Sequence, residues 1–274
     1  MRVWMNGALL DDVHAPAVSV TDHGLTVGDG VFESVKTLDG VPFALERHLA
    51  RLERSAVGLG LDAPDLGAVR LGVAAVLEGV DDPLGRLRIT LTAGPAPMGS
   101  ARGEGPPTLV VVHGPLEPAP PTTQVATVPW TRNERAATAG LKTTSYADNV
   151  IALAHAKEQG ASEAVFANTL GHLCEGTGSN VFYVVDGELR TPTLDSGCLA
   201  GVTRALVLEW CGAREVDAPL EEVVATMSEA FLVSTTRDVQ AISRWDARVL
   251  PAPGPVTAEC AATWASREPE TMEP

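Results

Sequence analysis

The strongest constraint on the fold is the segment 114–123, GPLEPAPPTT, which holds four prolines. Each proline fixes φ and lacks an amide donor, so neither a helix nor a central strand continues through the run. An extended linker is the conformation left. The 274 residues suffice for two modest domains. The chain is therefore read as a small N-terminal α/β domain over residues 1–117, a linker over 118–123 and a larger C-terminal α/β domain over 124–274.

Periodicity fills in both halves. Residues 1–6 and 31–38 alternate as strands, and the second meets an Asp39-Gly40 turn and another short strand. Over 44–59, Leu45, Leu49, Leu52, Ala56 and Leu59 fall on one stripe of an amphipathic helix. Residues 65–78 form a second helix, and 86–93 and 108–113 are strands. Beyond the linker, strands are expected at 124–129, 163–167, 180–185, 189–191 and 230–234, with helices at 147–159 and 201–210. Residues 267–274 are charged and contain proline, and are expected to fray. There is no internal repeat, and the fold class is α+β.

Composition excludes several functions. The formal charge of −15 disfavours nucleic acid and anionic membrane surfaces, both of which attract basic patches. Aliphatic runs such as 109–112 are far too short to span a bilayer. Cys174, Cys198, Cys211 and Cys260 form no C-x-x-C and no Cys/His cluster, so no metal site is expected. They read as free, mostly buried thiols of a cytoplasmic protein. The opening MRVWMNG is strand-like and lacks an apolar leader core. Only three lysines exist, Lys36, Lys142 and Lys157, so a lysine-dependent chemistry has three candidates.

Five segments could carry chemistry. Lys142 stands in GLKTTSY, at a strand-to-helix transition, where partial desolvation would tune it as a nucleophile. Glu175, in LCEGTGSN, lies between apolar residues and a glycine turn, and a buried carboxylate needs a partner. The segment Leu199-Ala-Gly-Val202-Thr203 opens a helix whose free amides suit a phosphate. Ser234, Thr235 and Thr236 end a strand with three hydroxyls. Arg51 sits on the flank of the leucine stripe, while Arg47 and Arg54 point to the solvated face. Singly, each fits an ordinary role as a loop lysine, turn glutamate or cap. Together they supply what pyridoxal 5′-phosphate (PLP) demands of a protein: a Schiff-base lysine, a carboxylate for the pyridine nitrogen, and a phosphate cup.

These residues resemble the class IV aminotransferases, the fold-type IV PLP enzymes. The resemblance runs through Asp22-His-Gly…Gly28-Asp-Gly-Val-Phe-Glu33, His48-Leu-Ala-Arg51-Leu, Leu141-Lys142, Glu175-Gly-Thr-Gly-Ser-Asn180, Asp186-Gly…Thr191-Pro192, Leu199-Ala-Gly-Val-Thr203-Arg and Ser234-Thr235-Thr236. It implies that Lys142 bonds to the cofactor aldehyde and shuttles the proton. It implies that Glu175 pairs with the ring nitrogen, that Leu199 packs on the ring, and that Tyr146 contacts its hydroxyl. Arg51, Val202 (through its amide), Thr203, Ser234 and Thr235 would hold the phosphate. The family's mixed-sheet architecture and homodimeric assembly are expected as well.

Within that family the substrate residues should include Phe32, Ser34 and Lys36, which alternate along one strand face, with Thr236. Branched-chain enzymes carry Phe-Glu-Gly followed by an arginine here, from which Ser34 and Lys36 depart. D-amino acid aminotransferases carry an Arg-x-His pair in the loop corresponding to 93–99, which this chain lacks. Lys36 is the first candidate for the substrate carboxylate, ahead of Arg86, Arg88 and Arg102. Aminodeoxychorismate lyases often follow the lysine with His-Leu-Asn-Arg, in contrast to Thr143-Thr-Ser-Tyr146 here. The leading expectation is a transaminase of D-amino acids, extending to (R)-amines. The alternatives are an aminodeoxychorismate lyase, a branched-chain L-amino acid aminotransferase and a non-catalytic PLP-binding protein.

Overall fold

In the computed structural model, which describes residues 1–274, the early elements follow from alternation and turn chemistry. Strand β1 (Arg2–Met5) reverses at Asn6-Gly7 into β2 (Ala8–Leu9). A one-turn helix α1 (His23–Thr26) starts where the Asp22 carboxylate accepts from the Gly24 N–H, an ordinary N-cap. Strands β3 (Gly30–Leu38) and β4 (Val41–Pro42) pair across Asp39-Gly40. Then come α2 (Leu45–Gly58), α3 (Leu66–Leu77) capped by Asp65, β5 (Leu84–Thr92) and β6 (Thr108–Pro115). The six strands form one antiparallel sheet in the order β2-β1-β6-β5-β3-β4. Val31, Val35, Leu87, Ile89 and Val111 on one face bury against Leu49 and Leu52 of α2 and Val69, Val73 and Val76 of α3. The opposite face of β3 carries Phe32, Ser34 and Lys36, as the alternation requires.

The second half follows the same logic. Its elements are β7 (Thr122–Arg132), α4 (Ala147–Glu158), β8 (Glu163–Asn168), β9 (Leu173–Gly176), β10 (Asn180–Val185) and β11 (Glu188–Thr191). After a 3-10 turn follow α5 (Val202–Cys211), β12 (Arg214–Glu215), α6 (Leu220–Thr226), β13 (Glu229–Ser234), β14 (Asp238–Trp245), β15 (Arg248–Val249) and α7 (Pro255–Glu270). Nine strands make a mixed sheet, β12-β11-β10-β13-β14-β7-β8-β9 with β15 on β14. Ala126, Val128 and Phe166 pack on Ala152 and Ala156 of α4. Val125 and Val165, their alternates, join Leu220 and Val223 of α6 in a separate core.

Contacts divide the chain into two compact units. The first is Met1–Glu117 with Leu141–Tyr146 and Glu273; the second is Pro118–Gly140 with Ala147–Met272 and Pro274. Three sequence expectations are corrected. Thr122 and Thr123, read as linker, already pair with Ala241 and Ile242 of β14, because both threonines keep the amide that the prolines before them lack. The tail expected to fray from Arg267 is helical to Glu270, since Thr257, Cys260 and Trp264 bury one face of α7. Arg54 is exposed, but Arg47 is half-buried.

Gly72 shows how tightly α3 seats. A Cβ there would stand 2.7 Å from Trp4 Cε3 and 2.9 Å from Val111 Cγ2. In an open helix, glycine to alanine gains roughly 0.5–1 kcal/mol. In Gly72→Ala the overpacking outweighs that gain, and the expected result is a net loss of about 1–3 kcal/mol, read as a lower urea midpoint at unchanged slope.

Candidate active site

Segment 141–146 joins the first unit through its main chain. The Phe32 N–H donates to the Lys142 carbonyl at 3.0 Å, the Thr144 N–H donates to the Gly30 carbonyl at 2.8 Å, and Thr143 bridges Val31. The Lys142 N–H donates to the Ser55 hydroxyl of α2 at 3.2 Å. These bonds set the lysine side chain against β3. Lys142 Nζ lies 4.2 Å from the centroid of the Phe32 ring and 5.8 Å from that of Tyr146. Phe32 and Tyr146 meet edge to face, with centroids 5.2 Å apart. The Arg88 guanidinium carbon lies 3.8 Å from the Phe32 centroid. One aromatic ring thus attends two cations, each gaining about 0.5–2 kcal/mol from its face.

The candidate carboxylate ligands separate clearly. Ser34 opposes Arg88 and Lys36 opposes Arg86 across β3 and β5. Lys36 is 3% exposed, its Nζ 5.8 Å from the Phe43 ring. Arg102 holds both Asp29 oxygens at 2.7 Å and the Leu59 carbonyl at 2.8 Å, which makes it a loop clamp. Arg88 alone of the four stands on the ring that Lys142 faces.

Arg51 is buried with partners the sequence did not announce. Its Nε and Nη2 donate to the two oxygens of Glu33, each at 2.7 Å, and His48 Nδ1 lies 2.7 Å from Glu33 Oε2. Burial alone would raise the Glu33 carboxyl. The Arg51 charge and the hydrogen bonds from Arg51 and His48 overcome it and hold the group at about 2. His48 is pushed down, first by burial and further by the charges of Arg51 and Lys142, against the opposing pull of Glu33. The bidentate fork fixes the guanidinium plane.

In the second unit, Glu175 lies on β9, half-buried. Its Oε2 accepts from the Leu199 N–H at 2.9 Å, and Oε1 is 3.3 Å from Arg132 Nε. That nitrogen has no partner in hydrogen-bond geometry, so the contact is an ion pair only. The Arg132 guanidinium carbon also lies 4.2 Å from the Phe166 centroid. Asn180 donates to the Leu199 carbonyl at 2.9 Å, so one residue is gripped at both main-chain groups. Helix α5 begins at Val202 after Gly201, without a side-chain cap, and Thr203 is 5% exposed. A Cβ at Gly201 would stand 2.1 Å from Asn180 Oδ1, so only glycine admits this approach. Ser234 ends β13, and Thr235 and Thr236 form the turn to β14. Of the residues singled out in the sequence, the first unit gathers Phe32, Lys142 and Tyr146, and the second gathers Glu175 with Leu199. Arg132, Glu33, His48 and Asn180 were missed as partners; none lies in a pattern that announces a tertiary neighbour.

This donor set fits PLP. The first unit offers a half-buried lysine; the second, taken by itself, offers a carboxylate fixed by an arginine and an amide and an uncapped helix start beside a buried threonine. Comparison with known proteins agrees. The family model for amino-transferase class IV matches residues 30–245, and that family is PLP-dependent. A putative branched-chain-amino-acid aminotransferase of Methanocaldococcus jannaschii is 32% identical, covering 91% of this chain and 90% of its own. A D-alanine aminotransferase of Bacillus licheniformis is 29% identical, over 94% and 93%. An aminodeoxychorismate lyase of Bacillus subtilis is 28% identical, over 86% and 84%. Among solved structures, the fold IV transaminase CpuTA1 of Curtobacterium pusillum is 34% identical with a TM-score of 0.83, over 93% and 92%.

The buried cluster sets a pH dependence. His48 titrates lower folded than unfolded, so its contribution is complete above its ordinary value and is lost as pH falls through that value. Glu33, also lowered, contributes above its ordinary value and loses that contribution only on the way to about 2. Between pH 6.5 and 5 the slope therefore belongs to the histidines, up to about 1.4 kcal/mol per pH unit for one proton. His48→Gln should flatten the fall in urea stability across that window, leaving the slope that His113, also lowered by burial, supplies.

Proposed function

Starting from a chain that belongs to the class IV aminotransferase family, we propose that it is a transaminase moving the amino group of an α-amino acid, with preference for the D-configuration, to a 2-keto acid. The observation that carries the reading is the pair of cations on Phe32: Lys142 for the amino end of the substrate and Arg88 for its carboxylate. The departure of Ser34 and Lys36 from the branched-chain pattern weighs against the L-branched-chain alternative, and (R)-amines extend the reading where a carboxylate is dispensable.

PLP supplies an electron sink for the pair left when the α-proton departs. The chain's own residues do the rest. Lys142 provides the nucleophilic nitrogen and, once released, the base that carries the proton. The Phe32 face and the neighbouring Arg88 keep its ammonium form from being the only cation that an incoming carboxylate meets. Glu175, kept in place by Leu199 and Arg132, favours a proton on the ring nitrogen. In the second unit the α5 amides, Thr203, Ser234 and Thr235 would hold the phosphate, Leu199 would pack on the ring and Thr236 would serve the substrate; from the first unit Arg51 would add a charge for the phosphate and Tyr146 a contact for the ring hydroxyl.

We assign a homodimer to the active form. Each unit exposes apolar side chains, Val20 and Met98 in the first and Val150 and Ile151 in the second, which a partner copy would cover. Light scattering on the eluting protein should give twice 28.6 kDa; a monomer would count against the dimer and leave the chemistry untouched.

The activity is tested by adding D-alanine, L-leucine and aminodeoxychorismate separately to the PLP-loaded protein. Conversion of the cofactor to its pyridoxamine form by D-alanine and not by L-leucine is expected. Release of pyruvate and 4-aminobenzoate from aminodeoxychorismate, without a half-reaction on either amino acid, would make the lyase the right member of the family. Arg88→Gln should raise KM for amino acids by roughly 10- to 100-fold, the worth of one charge-assisted hydrogen bond, with a smaller change for an amine lacking the carboxylate. Unchanged KM would return the carboxylate to Lys36.

A further inference from the structure

Two turns of the second unit adjoin or carry residues assigned to the cofactor. One runs from Gly176 to Ser179 immediately after Glu175, and closes with the Gly176 N–H on the Ser179 carbonyl at 2.8 Å. The other runs from Ser234 to Arg237, contains Thr235, and closes with the Arg237 N–H on the Ser234 carbonyl at 3.1 Å. A single carboxylate joins them. Glu163, the first residue of β8, is 2% exposed. Its Oε1 accepts from the Ala164 N–H at 3.0 Å, the Thr177 N–H at 3.1 Å and the Thr177 hydroxyl. Its Oε2 accepts from the Ser179 hydroxyl at 3.1 Å and lies 3.4 Å from Arg237 Nη2. Arg237 in turn donates to Gln240 and to the Ser162 carbonyl.

A carboxylate this buried is retained only with its oxygens satisfied, and both are. Nothing is left to touch a substrate. The arginine is the last residue of the turn that bears Thr235, so where its side chain is pinned decides how that turn sits. We infer that the Glu163–Arg237 pair is a positioning device for the cofactor phosphate: it fixes the Thr235 turn against the turn that follows Glu175. The inference rests on the assignment of Thr235 to the phosphate.

The test compares PLP with pyridoxal, which has the ring and aldehyde but no phosphate, each titrated into apoprotein and followed by the visible absorption of the bound form. Glu163→Gln keeps an acceptor for Thr177 and removes the charge facing Arg237; Arg237→Gln removes the other partner. Each should raise the Kd for PLP on the order of tenfold and that for pyridoxal by about twofold or less, with thermal unfolding of the apoprotein little changed. The double variant should lose no more than either single one, because both remove the same coupling. Equal weakening of PLP and pyridoxal, unchanged PLP binding, or a double variant whose losses multiply would each overturn the inference. Should Glu163→Gln fail to fold, Arg237→Gln alone decides, since Glu163 then keeps its other four donors. Thr235→Val serves as the reference. If it leaves the PLP-to-pyridoxal ratio unchanged, the phosphate assignment falls and the inference with it. If it shifts the ratio while Glu163→Gln does not, the inference alone falls.

Discussion

Three main-chain contacts decide where Lys142 stands. Gly30, Val31 and Phe32 pair with Thr144, Thr143 and Lys142, so segment 141–146 is held as a short ribbon on β3. Backbone pairing of this kind costs no side-chain entropy and fixes direction as well as distance. It follows that the Phe32 ring, Arg88 on the neighbouring strand and the Lys142 side chain meet on one face. The antiparallel register of β3 with β5 then sets which arginine stands nearer Phe32, with Arg88 opposite Ser34 and Arg86 opposite Lys36.

The two units handle buried carboxylates differently. Glu33 is matched by a bidentate arginine and a histidine, all on one helix and one strand, and the result is a strong, stiff ion cluster. Glu163 is matched mostly by hydroxyls and amides of turns, with an arginine at longer range. The first arrangement anchors a helix to a sheet. The second ties together loops that have no regular structure of their own, where hydrogen bonds to a shared acceptor are the means of holding shape. Glu175 sits between these extremes, with one amide, one arginine and partial exposure.

Much of this was legible in the sequence because the relevant forces are local. The stripe from Leu45 to Leu59 marks α2, and the alternation through Val31–Leu38 marks β3. The family's spaced motifs singled out Lys142, Glu175 and Leu199, and the fold places Glu175 beside the Leu199 amide. The rest depended on tertiary neighbours. Strand β9 was unread because four residues with a glutamate among them make no alternation. Helix α7 was unread because its buried residues are few and its end is charged. Membership of 141–146 in the first unit rests on a contact 114 residues away in sequence. That Arg88 stands on the Phe32 ring while Lys36 is buried beside Phe43 could not be read either, since both lie on strands with the same alternation.

Gly30 draws these strands together. A Cβ there would stand 2.8 Å from the Leu91 carbonyl and 3.1 Å from the Thr144 hydroxyl, and neither a carbonyl within a paired sheet nor a bonded hydroxyl can retreat. The most selective position on this strand is therefore one that contributes no functional group at all. In a saturation library, position 30 should be depleted of every alternative residue as severely as position 142, although one tolerates no side chain and the other no other chemistry. Intolerance alone would thus place an inert atom's absence and the presence of the proposed nucleophile in the same class, and only the backbone geometry tells them apart.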